Sequence, residues 1–189
     1  MLGGRLHQAG RVMPITVIQR YSRRTDGATA VEFSLIAVPL VMLLFGLIEI
    51  CMVFTKQGAL EFATLQAARQ IRTGQIQQGA GSPEDAFRQA LCDAASFLIP
   101  CDAIAYEVQA MNDFSEANER PPPEFDEEGN LETQSFDVGG SSGVVLIRTI
   151  HRHPIMTPMM KPLLATGGSE DSFLATSTVV LRTEPYEFN

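Results

Sequence analysis

Cysteine, histidine and concentrated positive charge are all scarce in this chain. Its 189 residues hold three cysteines, too few for a disulfide-built scaffold. Fourteen Lys and Arg residues stand against 22 Asp and Glu, leaving a formal net charge of −8. Phosphate recognition needs clustered Lys and Arg, and the acidic body of the chain has no such cluster, so nucleic acid is excluded as a partner. No Gly-rich phosphate loop, nucleophile elbow or ligand-spaced cysteine cluster is present. The acidic stretch Glu124-Phe125-Asp126-Glu127-Glu128 lacks the alternating ligand spacing of an EF-hand loop and reads as solvated. These absences argue against an enzyme, and they indicate no cofactor.

What the chain does have is one long apolar run. From Phe33 to Phe54 there are 22 residues with a single charge, Glu49. A bilayer core needs about 20 apolar residues in a helix, so the segment can span. Residues 1 to 27 carry Arg5, Arg11, Arg20, Arg23 and Arg24 against Asp26 alone, whereas the remainder has nine basic and twenty-one acidic residues. A positive flank resists translocation, which keeps the amino terminus in the cytoplasm and puts the carboxy-terminal part outside the membrane. The remaining length suits one small domain, because domains commonly occupy about 100 to 150 residues. A cleaved secretory signal has a shorter apolar region of about 7 to 15 residues with the cut after it.

The run is preceded by Arg23-Arg24-Thr25-Asp26-Gly27-Ala28-Thr29-Ala30-Val31-Glu32-Phe33, a basic segment, a glycine and a lone glutamate at the mouth of the span. Burying a carboxylate there costs several kcal/mol unless it finds a partner. The order resembles the class III signal of type IV pilin-like proteins, in which a prepilin peptidase cuts after the glycine and leaves glutamate at the fifth mature position. Counting from Ala28, Glu32 holds that position. Within that group, residues Gly27 to Phe33, then Pro39, then Gly46-Leu47-Ile48-Glu49, are similar to the amino-terminal segment of TadE-like proteins, the minor pseudopilins of tight-adherence (Tad) pili. The closing Leu181-Arg182-Thr183-Glu184-Pro185-Tyr186 is similar to their carboxy-terminal strand.

The resemblance implies processing between Gly27 and Ala28, which would leave a mature chain near −12. It implies assembly roles for Glu32 and Phe33, with Glu32 pairing with the amino terminus of a neighbouring subunit once cleavage has exposed the Ala28 amine. It further implies a prepilin peptidase, other pilins or pseudopilins, the inner-membrane pilus platform with its secretin apparatus, and the lipid bilayer as partners. The expected placement is single-pass in the inner (plasma) membrane, with the amino terminus cytoplasmic, the carboxy-terminal domain periplasmic, and association with the pilus. The residues alone also admit an uncleaved single-pass anchor that carries a periplasmic binding module.

Within the span, Pro39 removes a backbone donor that lipid cannot replace. A kink or loosened turn over residues 35–39 is one expectation, and simple tolerance in a membrane helix is the other. Glu49, near the outer end, is expected to snorkel its carboxylate into the headgroup layer. Cys51 lies in the run and behaves as a small hydrophobe.

Beyond the span, Leu60, Ala63, Ala67 and Ile71, with Leu65 and Ala68, continue helical spacing to about Arg72. Gly74 then stops the helix, and Gly79 and Gly81 open a loop. Ala59, Ala63 and Ala67 suit either close approach of another helix or packing on the chain's own globular part. Ser82-Pro83-Glu84-Asp85 starts a second helix, with Phe87, Leu91, Ala94, Ala95 and Leu98 on its apolar face and Pro100 ending it. Strands are predicted over 104–111, 143–152 and 173–183. Residues 112–142, with Pro121-Pro122-Pro123 and nine acidic residues, read as a long exposed loop. Residues 154–168 read as irregular, and Met156, Met159 and Met160 there serve as core filler or as an exposed contact.

Cys92 and Cys101 stand nine positions apart in the exported part, where an oxidising periplasm permits a disulfide; two free thiols or two ligands of a metal site are the alternatives. His151 and His153 share one side of a strand and would face a common metal, but no further ligand is evident, and a polar strand end explains them as well.

The fold expected is α+β, a long pilin-like membrane-spanning helix followed by a small helix-plus-antiparallel-sheet domain. Its parts are a basic leader (1–27, removed), a membrane-spanning stretch (28–54), a helix continuation (55–73) and an exported domain (82–189) with the acidic loop 112–142. The function expected is that of a minor pseudopilin-like structural protein in the assembly or initiation of a Tad-type pilus.

Overall fold

The computed structural model describes residues 27–95, 97–121, 123, 125 and 135–185. Helix α1 (Ala28–Arg72) runs 45 residues and continues unbroken through Pro39. Two compact units divide the chain, the first ending at Leu44 and the second beginning at Phe45.

In the first unit, the described residues form helix alone after Gly27, and their side chains are exposed around the whole circumference, Ala37 excepted. Val31, Phe33, Leu35, Ile36, Leu40 and Leu43 are among them. A helix that is apolar on every side and uncovered by protein is suited to hydrocarbon. Among the described residues α1 is the one helix long and apolar enough to cross a membrane, by length and composition.

From Gly46 onward α1 becomes one-sided. Gly46, Glu49, Val53, Leu60, Ala63, Thr64, Ala67, Ala68 and Ile71 are buried at three- and four-residue spacing. The helix ends where Gly74 adopts the left-handed conformation, φ 75°, which costs a glycine little. A short helix α2 (Gln75–Gln78) follows and buries Ile76 before the chain bends at residues 79–81.

Helix α3 (Pro83–Ala95) begins as its cap residues dictate, with the Asp85 N–H donating to Ser82 Oγ at 3.4 Å. It buries Phe87, Leu91 and Ala95. The helix stops at Ala95, five residues short of Pro100, so Leu98 lies in a turn and is exposed instead of extending the apolar face.

Strands β1 (Ile104–Met111), β2 (Val144–Pro154) and β3 (Ser172–Arg182) form an antiparallel sheet in the order β1-β2-β3. Register sets Val108 opposite Ile147 and Ile147 opposite Val179. The odd-numbered residues of β2 face α1 and α3, and Val145 and Ile147 join Leu60, Ala63, Ala67, Ile71, Phe87 and Val108 in the main core. Ala63 and Ala67 therefore pack on the chain's own domain. Even-numbered residues face the other way, where Val144 and Leu146 meet Met111, Ala117 and Val180.

Within the segment read as a long exposed loop, residues 113–119 and 135–137 are structured, for two physical reasons. Asp113 accepts from the N–H groups of Ser115 and Glu116 and caps a short helix, α4 (Phe114–Glu119). Farther on, the Val108 N–H donates to Ser135 O and the Asp137 N–H to Val108 O, both at 2.8 Å, so this stretch covers the free edge of β1. The acidic stretch itself, residues 126–128 with Glu124, lies outside the described residues. In segment 154–168, a 3-10 turn (Pro158–Met160) leads into helix α5 (Lys161–Leu164).

Candidate functional site

The residues singled out by sequence fall into two groups on α1. Gly27 precedes the first helical residue, and Gly27, Ala28, Glu32 and Phe33 are all exposed. The Gly27–Ala28 peptide thus stands at the helix start with open space about the glycine. Pro39 is exposed within the apolar stretch.

Gly46 and Glu49 belong to the second group, and they are covered. A side chain at Gly46 would have its Cβ 3.2 Å from Met160 Cε, so the glycine makes room for that methionine. Three residues on, Glu49 is 6% exposed. Its Oε1 accepts from the Met156 N–H at 2.5 Å and its Oε2 from the Thr157 N–H at 2.7 Å. This corrects the expected headgroup-facing carboxylate. Glu49 lies in phase with the buried stripe Gly46, Val53, Leu60, and the segment after β2 folds over it. Two backbone donors, otherwise without a strand partner, are satisfied by the one carboxylate. The methionines split accordingly, with Met160 buried as filler while Met156 and Met159 are exposed.

Two turns farther along, Lys56 Nζ lies 2.9 Å from His153 Nδ1. Lysine can only donate, so this nitrogen of His153 is the acceptor and the ring is neutral. His151 Nδ1 lies 2.9 Å from Ala103 O, and because a carbonyl can only accept, that nitrogen carries the proton. Burial chiefly, with the Lys56 ammonium adding to it, pushes both imidazoles below their usual range. The two histidines thus have separate partners on separate elements. Among the described residues no three of His, Cys, Asp or Glu gather to hold a metal ion.

Cys92 of α3 and Cys101 are joined by a disulfide, with Cα atoms 5.1 Å apart. It brackets the turn that carries Phe97 and Leu98. Cys51 is a free, exposed thiol.

Sequence reading missed a charged cluster on the far face of the sheet. Glu107 and Arg148 are directly opposed on β1 and β2, both buried. Arg148 Nη1 donates to Glu107 Oε2 at 3.3 Å, and Arg120 Nη2 donates to Oε1 at 2.9 Å. Arg148 also reaches Pro121 O, so the cluster ties the segment after α4 to the sheet. The available signal was Glu107, the one acid of β1, and Arg148, which follows directly on the apolar run Val144 to Ile147.

An exposed apolar helix, opened by Gly27-Ala28 and Glu32 and continuing into a small α+β domain, is the arrangement that the family comparison addresses. Residues 27–69 match the family model of TadE-like proteins. The TadE-like segment takes in the helix start, Glu32, Pro39, Gly46 and Glu49, and ends three residues before α1 does. The match covers 43 of the chain's 189 residues, all of them in α1 and the glycine before it. The TadE-like segment stops well before residues 181–186, which were expected to resemble the family's carboxy-terminal strand. In the structure Glu184 of that stretch donates its N–H to Arg72 O at 2.9 Å, which caps α1, and Tyr186 lies outside the described residues. No curated protein and no solved structure matches the chain.

Proposed function

We propose that this chain is a minor pseudopilin-like structural protein that takes part in assembling or initiating a Tad-type pilus. A prepilin peptidase cuts between Gly27 and Ala28, and the mature chain stays anchored through α1, with its amino terminus cytoplasmic and its α+β domain periplasmic. Glu32 then pairs with the amino terminus of a neighbouring pilin or pseudopilin, which offsets the burial of both charges and sets the register of assembly. The inner-membrane platform and secretin apparatus complete its partners. No step in this role is catalytic.

The observation that carries the reading is the exposed start of α1. Gly27, Ala28 and Glu32 stand uncovered at the head of a helix that is apolar on all sides through Leu44, inside the TadE-like match. The test is the amino-terminal sequence and intact mass of the membrane-extracted protein. A start at Ala28 is expected, and its loss in cells lacking the peptidase. A chain that retains Met1 would overturn the pseudopilin reading in favour of an uncleaved anchored binding module.

A further inference from the structure

We propose that two loops at the base of the exported domain form a collar that inserts into the outer leaflet of the membrane around α1. The proposal rests on the reading of α1 as a membrane span, and it concerns a different part of the chain. The apolar helix ahead of the domain is short for a bilayer. From Phe33 to Phe45 there are 13 residues, about 20 Å at 1.5 Å per residue, whereas a hydrocarbon core is about 30 Å thick. A span of about 20 residues that starts at Phe33 ends near Met52. The bilayer therefore reaches the helix turns from Gly46 to Met52.

Those turns are where the domain's base sits. Leu98 lines one cleft with Leu47, Ile48, Cys51 and Met52, and on another side Met160 packs on Gly46 while the backbone of Met156 and Thr157 binds Glu49. Whatever lies beside these helix residues lies at the same depth. Phe97, next to Leu98, is 93% exposed and Met156, whose N–H binds Glu49, is 81% exposed; farther along the second segment Met159 is 50% and Leu163 74% exposed. In water that display is costly, at roughly 25 cal/mol per Å² of apolar surface left uncovered. In the acyl region it is favourable, as for an interfacial amphipathic element.

Two further observations fit a loop placed in lipid. Non-helical backbone survives at membrane depth only where protein satisfies its donors, and Glu49 does this for Met156 and Thr157. The disulfide between Cys92 and Cys101 holds the Phe97 turn closed, so the ring is presented at little entropic cost on insertion.

The chain has no tryptophan, so single substitutions report position directly. Phe97→Trp and Leu163→Trp are made in the full chain, reconstituted in vesicles of phosphatidylethanolamine and phosphatidylglycerol with or without bromine on the acyl chains. Leu40→Trp marks the span and Thr178→Trp, exposed on β3, marks water. Retention of the disulfide, read by mass, checks folding of each variant. The collar predicts blue-shifted emission and bromolipid quenching several-fold above Thr178→Trp at both loop positions. If Leu40→Trp is quenched while both loop positions match Thr178→Trp, the collar is overturned and the span stands. If Leu40→Trp is itself unquenched, the span reading fails and the collar with it. Should one loop variant misfold, the other decides.

Discussion

The Thr149 hydroxyl, on the central strand, donates to the hydroxyl of Thr64 on α1 at 2.5 Å. The direction follows from Thr64, which is 0% exposed and spends its only proton on Leu60 O at 2.7 Å. The hydrogen bond stands at the centre of the interface between helix and sheet. Its two ends are unequal, and the inequality is measurable. Thr149→Val removes one hydrogen bond and leaves Thr64 satisfied, for a loss of about 1 kcal/mol. Thr64→Val strands the buried Thr149 hydroxyl and is expected to cost about 1–3 kcal/mol. Denaturant unfolding of the two variants would reject the assigned direction if Thr149→Val proved the more damaging.

Glu49 holds two amides, so its removal has a local signature. Glu49→Ala is expected to destabilise by about 1–3 kcal/mol, because the Met156 and Thr157 N–H groups lose their acceptor. Hydrogen exchange at those two amides should accelerate far more than exchange along β2. Unchanged protection would mean that the segment is held by other contacts.

The ion cluster beneath the sheet should behave as a unit. Glu107→Leu leaves Arg148 buried without its carboxylate and is expected to cost about 3–5 kcal/mol. Adding Arg148→Met is expected to recover much of that loss, because an apolar pair of similar volume avoids the desolvation of charge. Additive losses in the double-mutant cycle would contradict the coupling.

Acid should loosen the domain before the carboxylates titrate. His151 and His153 have folded values below the ordinary imidazole value of 6.5, so between the folded and unfolded values the unfolded chain binds more protons. Their contribution is complete above about 6.5 and declines as pH falls through and below that value. Protonation of His153 would also place a second cation against Lys56, with Glu49 the nearby compensating charge. Melting temperature followed against pH should drop below neutrality, and the His151→Phe, His153→Phe double variant should flatten that drop.

Glu32 is exposed, so its replacement leaves the fold alone. Glu32→Ala is expected to be processed and to give a domain of normal stability, while surface pili fall toward the level seen without the protein. Pilus counts equal to the parent would remove the assembly role of Glu32.

Much of the architecture was legible because its signals are local. The apolar run, the Ser82-Pro83 cap, the alternation at Ile104, Tyr106 and Val108, and the Val144 to Ile147 run each act over a few residues, and the elements formed where expected. The errors are long-range. Nothing within a few residues of Glu49 shows that a segment more than a hundred positions away will fold over its carboxylate. The contacts made by residues 113–121 and 135–137 likewise depend on Ser135 and Asp137 finding the edge of β1 and on Arg120 finding Glu107. A composition rich in acid and proline hides both contacts.

The side chains from Leu60 to Ile71 that fill the core belong to the same unbroken helix that begins at Ala28. Tension applied along the helix axis would therefore be borne by the packing of Leu60, Ala63, Ala67 and Ile71 against the sheet. A shortened chain that starts after Arg72 would lack a wall of its own core, so any shortened version of the domain has to keep α1 from Gly46, the first of its buried positions.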